Sequence, residues 1–323
     1  AWVHGLAPAP SAASAEIVAR AQIRAEVARL LAAEDYAALE LLADDYRRQR
    51  GRTGSGVWKL TVFYAGIDDA AAAAIADDEA GWMSLTRRLG NWQTHAPPSP
   101  TPIIALAIAL KRFAQPRRAR TFVEQASSGI QAPLETLRAA FAYLESNRAR
   151  ADSDPHYYVV WANLATTLSH DDAEFLAMVE EGARREPSYY QLYFAALDHF
   201  ASSQRGNVRG AEALANRAAT LAGPEADAVY ARIYWYGAEA HFGGDLLGRS
   251  LVNWDRMRRG IDAIVALYPN RWNIDNLARL ACAAADARTT QALLNSSTDP
   301  PLMTVWRTHA AYASCRRLAG TAR

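Results

Sequence analysis

Histidine and carboxylate side chains, which could bind a metal ion, are dispersed along this 323-residue chain. Its seven histidines form no HxxxH or HExxH pair, the spacings that place metal-binding groups on one face of a helix. The compact trio 170–172, His-Asp-Asp, could ligate an ion, but capping of a helix is the favoured interpretation. We therefore predict no metal site and no cofactor.

Two other segments could contact phosphate groups. Residues 243–250 nearly match the phosphate-binding loop GxxxxGK[ST], but Arg249 replaces the lysine and a helical pattern precedes the loop. Residues 111–120 hold five cations and a phenylalanine, a composition that can contact a nucleic acid backbone. Since the whole chain balances 35 basic against 34 acidic residues, an interhelical loop and a solvated helix face are favoured. No nucleic acid partner is expected.

A pair of nucleophile and base is not recognisable in the linear sequence. Ser55 lies between two glycines, but without the spacing of a nucleophile elbow. A hydrolase or transferase could still assemble a site from scattered residues such as His156, Asp171 and His199. That class is the less favoured alternative, and the chain is predicted not to be an enzyme.

Aromatic side chains in the second half of the chain favour recognition of a partner. Consecutive pairs such as Tyr189-Tyr190 point about 100° apart on a helix, so one ring can pack inward while the other lines a surface. Tyr and Trp give large contact areas with a polar atom at one end, and Arg or Asn beside them can bind a carboxylate or peptide backbone. Packing in the core is the alternative. The predicted groove consists of Tyr157, Tyr189, Tyr193, Tyr230, Arg232, Trp235, Asn273 and Asn276.

The two cysteines could form a disulfide bond. Cys282 and Cys315 are 33 residues apart, which could place them on equivalent helices of neighbouring repeats. A bond between them would be typical of an oxidising compartment. Two buried thiols that never pair are the alternative.

The elements that position these groups are indicated by a recurring proline. Five prolines in turn-like surroundings follow one another at intervals of 32, 37, 45 and 32 residues: Pro155, Pro187, Pro224, Pro269 and Pro301. Helical periodicity fills the intervals, and a period in the mid-thirties is about the length of two helices and their turns. The sequence therefore predicts an all-α fold, a superhelical solenoid of antiparallel helix hairpins.

Helical periodicity also extends over the first half of the chain. We predict helices around 23–31 and 36–46, one helix over 70–94, and helices over 103–114 and 117–151. Residues 57–64 are rich in aromatic and β-branched side chains, but an isolated strand would have no partner, so a helix is predicted. A closing helix is expected over 302–312. The predicted organisation is a flexible tail at 1–15, a helical region at 16–152 and helical-hairpin repeats at 153–323, packed as one superhelix.

The N-terminal segment bears on the compartment. The chain starts at Ala1 and continues into a stretch rich in Ala, Pro and Ser at 7–14, as a chain left after removal of a signal peptide would, and as a trimmed chain would also. No run of eighteen apolar residues is present, so no membrane span is predicted. We predict an exported, periplasmic protein, with a cytoplasmic location as the alternative.

Blocks of aromatic, proline and glycine residues recur along nearly the whole chain, at 52–60, 99–102, 154–157, 189–194, 230–235, 253–257 and 268–273. They resemble the signature blocks of a proteobacterial family of unknown function, whose members commonly carry export signals and are described as tetratricopeptide-like. The chain departs from that pattern around 111–120 and 201–209. The resemblance implies helical repeats and export, but it implies no activity and no catalytic residue.

Together these observations favour a non-enzymatic helical scaffold that binds a protein or peptide in the bacterial envelope. An immunity-like role, in which the helices clamp a toxin, is one form of this hypothesis. A structural subunit of a larger assembly is the second alternative, consistent with the formal net charge of +1.

Overall fold

The computed structural model describes residues 12–115, 131–202 and 205–322. Within these ranges the regular structure is helical, and the one β-type pairing is an isolated bridge between Arg52 and Trp58. The all-α prediction is confirmed. No helix in the described ranges has the length and apolar character needed to cross a bilayer.

The helices are numbered in chain order over the described residues. Their bounds are α1 Ala12–Ala32, α2 Tyr36–Gln49, α3 Lys59–Ala76, α4 Glu79–His95, α5 Thr101–Ala114, α6 Gln131–Ser146, α7 Arg148–Ala151, α8 His156–Thr167, α9 Asp172–Arg185, α10 Tyr190–Ala201, α11 Val208–Ala222, α12 Ala226–Gly237, α13 Leu246–Arg249, α14 Trp254–Leu267, α15 Arg271–Ala283, α16 Ala287–Asn295, α17 Met303–Trp306 and α18 His309–Ala319. A 3₁₀ turn, Gly223–Glu225, precedes α12, and a π-helical segment, Ala238–Phe242, follows it.

Three predicted boundaries are wrong, and short caps explain two of them. The helix expected over 70–94 is interrupted because Asp78 adopts a φ of 93° and caps α4 by accepting from the amide of Ala80. The closing helix expected over 302–312 is divided at Arg307, whose φ is 64°, and Thr308 caps α18. Residues 12–15 of the predicted tail belong to α1, and residues 1–11 lie outside the described ranges.

Over 117–151 a helical segment was predicted in which Pro133 either opens a new helix or kinks a long one, and residues 117–130 lie outside the described ranges. In the remainder, Asn147 separates α6 from α7. Of the segment 57–64, predicted as helix despite its strand-like composition, residues 59–64 form the start of α3, whereas Trp58 precedes the helix and pairs with Arg52 in the isolated bridge.

The helices divide into two classes by burial. Nine of the twelve residues of α8 are buried, as are eight of twelve in α10 and eight of twelve in α12. These three helices and the preceding α3 and α5 pack successively, α3 on α5, α5 on α8, α8 on α10 and α10 on α12, and we call the five helices the central row. Between them in sequence stand α4, α6, α9 and α11, of which α9 and α11 bury only five residues each. Burial on more than one side explains why the central row is so rich in apolar residues.

Side chains 33 residues apart meet repeatedly in the second half of the chain. Two such contacts join α8 to α10: His156 Nδ1 lies 2.9 Å from the Tyr189 hydroxyl, and Thr166 Oγ1 lies 3.3 Å from His199 Nδ1. The same separation recurs in Arg148–Glu181, Asp152–Arg185, Asp172–Arg205 and the bond between Cys282 and Cys315. A recurring contact distance in sequence is what stacked units of one length produce.

The two ends of the described chain meet. Helix α1 packs against α3 and also against α15. One continuous cluster of buried apolar side chains extends from Val27 to Ala319. The N-terminal and C-terminal regions therefore share a core.

Candidate binding site

Residues 51–58, between α2 and α3, are held by helices of the second half of the chain. The carbonyl oxygen of Ser55 accepts a hydrogen bond from Arg232 Nη2 at 3.0 Å and another from Asn273 Nδ2 at 3.1 Å. The Trp58 indole donates to the carbonyl of Ser188 at 2.7 Å. Two buried donors on different helices thus grip one backbone carbonyl, as Arg232 and Asn273 were predicted to grip a peptide. The peptide they bind is a loop of the same chain.

The glycine at position 56 is required by this close approach. Its φ is +90°, and a Cβ atom there would lie 2.5 Å from Arg232 Nη2 and 2.8 Å from the Tyr268 ring. A side chain would be strained in that conformation and would also collide with its neighbours. The glycine-rich segment 51–56 is therefore a fitted part of the core and not merely a flexible turn.

Two arginines stack on aromatic rings around this loop. The Arg52 guanidinium lies 4.2 Å from the centre of Trp58 and 5.1 Å from that of Tyr190. The Arg232 guanidinium lies 4.7 Å from the same Tyr190 ring and 5.6 Å from Tyr268. Burial lowers the pKa of Arg232, and ring faces partly replace the water that its charge has lost.

A buried carboxylate on α1 also binds the loop 51–58. Glu16 accepts hydrogen bonds from the amide and hydroxyl of Ser55 at 3.0 and 2.6 Å, and from the Thr53 hydroxyl at 2.7 Å. Arg20 pairs with it at 2.6 Å. Burial alone would raise the pKa of Glu16, but these hydrogen bonds and the charge of Arg20 outweigh burial and lower it.

The predicted groove residues do not line an open groove. Trp235 is half-buried, whereas the other seven are at most 8% exposed: Tyr157, Tyr189, Tyr193, Tyr230, Arg232, Asn273 and Asn276. Several of their polar atoms have partners inside the protein, since the Tyr193 hydroxyl donates to the carbonyl of Pro187 and Asn276 Nδ2 to that of Trp272, whereas Arg232 Nε and Asn273 Oδ1 have none. The expectation of a solvent-facing surface at these seven positions is wrong. Both members of the pairs 157–158 and 189–190 are buried, because the helices that carry them are covered on more than one side.

A buried ionic network joins the first and second halves of the chain. Asp154 is 0% exposed. It accepts from Arg47 Nη2 and from the Tyr64 hydroxyl, both at 2.7 Å, and its other oxygen accepts from the amide of His156 at 2.8 Å. Burial depresses the pKa of His156 to about 3, so this imidazole is neutral at pH 7 and holds the Tyr189 hydroxyl through Nδ1.

The helices of the central row carry half-buried positions between their buried ones. On α10 these are Gln191, Phe194 and Asp198, at steps of three and four. We use the name open face for a set of half-buried positions on these helices: Thr61, Asp68, Lys111, Asn163, Gln191, Phe194, Asp198, Trp235 and Tyr236. Among the described residues, the side-chain amides of Asn163 and Gln191 have no hydrogen-bond partner. The open face therefore combines aromatic rings with half-buried amides.

Contacts across helices hold the open face together. The rings of Phe194 and Tyr236 stack with centroids 4.7 Å apart. Asp198 accepts from the Tyr236 hydroxyl at 2.8 Å and lies 2.7 Å from His241 Nε2. His241 belongs to the π-helical segment, a rare geometry that is frequent at functional sites. Burial, with the charge of Asp198, raises the pKa of Tyr236, which therefore stays a hydrogen-bond donor at neutral pH.

The other sequence candidates have structural roles. Asp171 caps α9 by accepting from the amide of Ala173 at 2.9 Å, as predicted for the polar trio. His199 pairs with Asp172 at 2.9 Å, whereas His156 belongs to the separate Tyr189 network, so the scattered catalytic set is not assembled. Within the described ranges, no group of three or more His, Cys, Asp and Glu side chains is placed to hold a metal ion.

The phosphate-loop candidate at 243–250 follows the π-helical segment, and its residues 246–249 form the short helix α13. Asp245 caps α13 by accepting from the amide of Gly248 at 3.0 Å. The predicted interhelical loop is therefore found only in part, at residues 243–245 and 250. Of the basic segment 111–120, only residues 111–115 lie in the described ranges.

Cys282 on α15 and Cys315 on α18 form a disulfide bond, with Cα atoms 5.6 Å apart. The bond fastens the last described helix to α15, one predicted repeat length earlier in the chain. Closing a loop of this length restricts the unfolded chain.

The sequence did not predict the contacts of Glu16, Arg232 and Asn273 with the loop 51–58, nor most of the open face. A signal for the face was available, because Gln191 and Asp198 interrupt an otherwise apolar helix at the spacing of one stripe. No comparable local signal links Ser55 to Arg232, which is 177 residues away. No family model, curated protein or solved structure matches this sequence.

Proposed function

We propose that the protein is a non-enzymatic helical scaffold that binds a protein or peptide partner in the bacterial envelope. In this proposal the helices form a tetratricopeptide-like superhelix of hairpins. The recurring contact at 33 residues and the successive packing of the central row support that arrangement.

The open face is the observation that carries the binding function. It presents the stacked Phe194 and Tyr236 rings beside the half-buried Trp235. Aromatic side chains flanked by polar groups are typical of protein-binding surfaces. The hydrogen bonds from Arg232 and Asn273 to the Ser55 carbonyl are an example within this protein of helices that bind a backbone carbonyl.

The disulfide supports the envelope location. Disulfide bonds persist in oxidising compartments such as the periplasm and are rare in the cytosol. Cys282 and Cys315 are the only cysteines of the chain, and they pair with each other.

The experiment is affinity capture from a bacterial envelope extract, with the wild-type chain and two variants as bait. N163R/Q191R places two cations on the open face at positions whose amides have no partner among the described residues. Leu41→Arg places one cation on α2 at a side chain that is 68% exposed. We expect wild type and Leu41→Arg to retain one stoichiometric protein and the open-face variant to lose it.

Two outcomes contradict the proposal. One is the absence of any stoichiometric partner under mild conditions. The other is equal retention of the partner by the open-face variant, which would place binding elsewhere. Circular dichroism of both variants checks that a loss is not caused by unfolding.

A further inference from the structure

A cavity of about 250 Å³ lies between α9 and α11. Both helices pack on α10, which contributes Phe200 to the lining. Leu176 and Val179 line the cavity from α9, and Leu214 and Leu221 line it from α11. Because these side chains are apolar, water inside the cavity finds few hydrogen-bond partners, and an apolar ligand can displace it.

The size and shape of this cavity suit a short chain molecule. An apolar cavity of about 150 Å³ is already large enough to bind benzene. Small residues leave the room here: Ala183 on α9, and Gly210, Ala213 and Ala218 on α11. The lining extends over residues 176–183 of α9 and 210–221 of α11, which are roughly two and three helical turns. The cavity is therefore elongated along the two helices.

The polar groups of the lining leave one positive charge uncompensated. Arg217 Nε lies 3.0 Å from Glu180 Oε1, and its Nη2 lies 3.2 Å from Oε2. Arg184 pairs with the same carboxylate at 2.6 Å. Among the described residues, neither arginine has a second acidic partner, so two guanidinium groups share one carboxylate. The Tyr193 hydroxyl adds no free donor, since it is bonded to the carbonyl of Pro187.

We propose that this cavity binds a short- to medium-chain fatty acid, with the alkyl chain between α9 and α11 and the carboxylate on Arg217. The apolar lining selects the chain, and the surplus guanidinium selects the head group. Binding is non-covalent. The cavity shares no residue with the open face, so the site does not rest on the proposed protein partner.

The first test is a chain-length series with the wild-type protein in isothermal titration calorimetry. Hexanoate, octanoate and decanoate are titrated below their micellar concentrations. Each methylene that becomes buried should tighten binding about fourfold until the cavity is full. Octylammonium, which has the same chain as octanoate's homologues but a positive head group, should bind at least about tenfold more weakly than octanoate.

Two pairs of matched variants locate the site. Ala213→Phe adds a ring at an exposed position of the lining, and Ala177→Phe makes the same change at an exposed alanine of α9 outside the lining. Arg217→Gln removes the proposed partner of the carboxylate, and Arg209→Gln removes an exposed cation elsewhere on α11. We expect Ala213→Phe and Arg217→Gln each to weaken octanoate binding at least about fivefold. Both control variants should stay within about twofold of wild type.

Three results would overturn the proposal. They are the absence of saturable binding by all three carboxylates, binding of octylammonium as tight as that of octanoate, and an unchanged affinity in Ala213→Phe. The first two need no variant to fold, and circular dichroism checks the folding of the four variants.

Discussion

Two regions of the molecule, residues 153–322 and residues 12–115, differ in how far apart in sequence their contacting side chains lie. In the later region, side-chain contacts repeatedly join residues 32 to 38 apart, as in Asp227–Arg259, Asp172–Arg205 and Asp198–Tyr236. In the earlier region they join residues between 35 and 57 apart, and the loop 51–58 also contacts partners 130 to 218 residues away. The later region is therefore linked mainly by contacts of similar separation, whereas the earlier region also depends on distant segments. The following predictions test that difference, from the largest expected effect to the smallest.

Removal of Asp154 should have the largest effect, because it joins the two regions. Asp154→Ala removes the buried carboxylate that pairs with the largely buried guanidinium of Arg47 and leaves it only Thr101 and the longer pair with Asp44, which costs about 3–5 kcal/mol in the free energy of unfolding. Urea denaturation measures the loss. The matched control is Asp152→Ala, which removes a partly exposed pair with Arg185 and should cost less than about 1 kcal/mol. Similar losses in both variants would show that Asp154 has no special role.

The disulfide should contribute the next largest amount. Replacing both Cys282 and Cys315 by Ala releases a loop of 33 residues, for which the chain-entropy relation gives about 3–4 kcal/mol. A reductant should lower the urea midpoint of the wild type to that of the variant and leave the variant unchanged. An unchanged wild-type midpoint under full reduction would contradict the prediction.

Gly56→Ala should destabilise the protein by about 2–3 kcal/mol, through both a strained backbone and a clash with Arg232. Gly223→Ala is the matched control in the periodic region: its φ is +55°, but no atom lies within 4 Å of the added Cβ. The free energy of unfolding of that variant should fall only because of backbone strain, by about 1–2 kcal/mol. The difference between the two urea midpoints isolates the packing of the loop. Equal losses would mean that the loop is loosely seated.

The pH dependence of stability should report on His156, which links Asp154 to Tyr189. Its folded-state pKa of about 3 lies below the unfolded value of 6.5, so the unfolded chain takes up the proton first. Stability is therefore lost as the pH falls below about 6.5, by about 2 kcal/mol at pH 5. His156→Gln should flatten this dependence in urea titrations at several pH values. An unchanged slope would assign the effect to other groups.

Much of the periodic region could be predicted from residue types and spacing. Pro155 follows Asp154, and α8 begins at the next residue, because a proline needs no amide partner in the first turn of a helix. Tyr193 and Phe200 lie seven residues apart, two turns of a helix, and both are buried on α10, although Tyr193 was predicted to line a groove. The identity of the water-facing stripe was not predictable in the same way, since that depends on which sides of α10 its neighbours cover.

The contacts that hold the loop 51–58 could not be predicted from the sequence for a different reason. Glu16, Arg232 and Asn273 meet around Ser55, but nothing in their local surroundings specifies the meeting. Arg232 and Asn273 were recognised as groups suited to peptide backbone, and that chemistry is what they perform. The predicted ligand, a partner peptide, was wrong because a loop of the same chain carries the same kind of backbone carbonyl.

The large sequence separation between this loop and its partners has a consequence during translation. A ribosome that adds roughly 5–20 residues per second needs on the order of 10–40 s to make the chain between Ser55 and Asn273, which are 218 residues apart. Until then the loop 51–58 cannot make its contacts with Asn273, and α1, α2 and α3 lack part of the packing that stabilises them. The nascent N-terminal region should therefore remain open to proteases or chaperones until the last quarter of the chain has emerged.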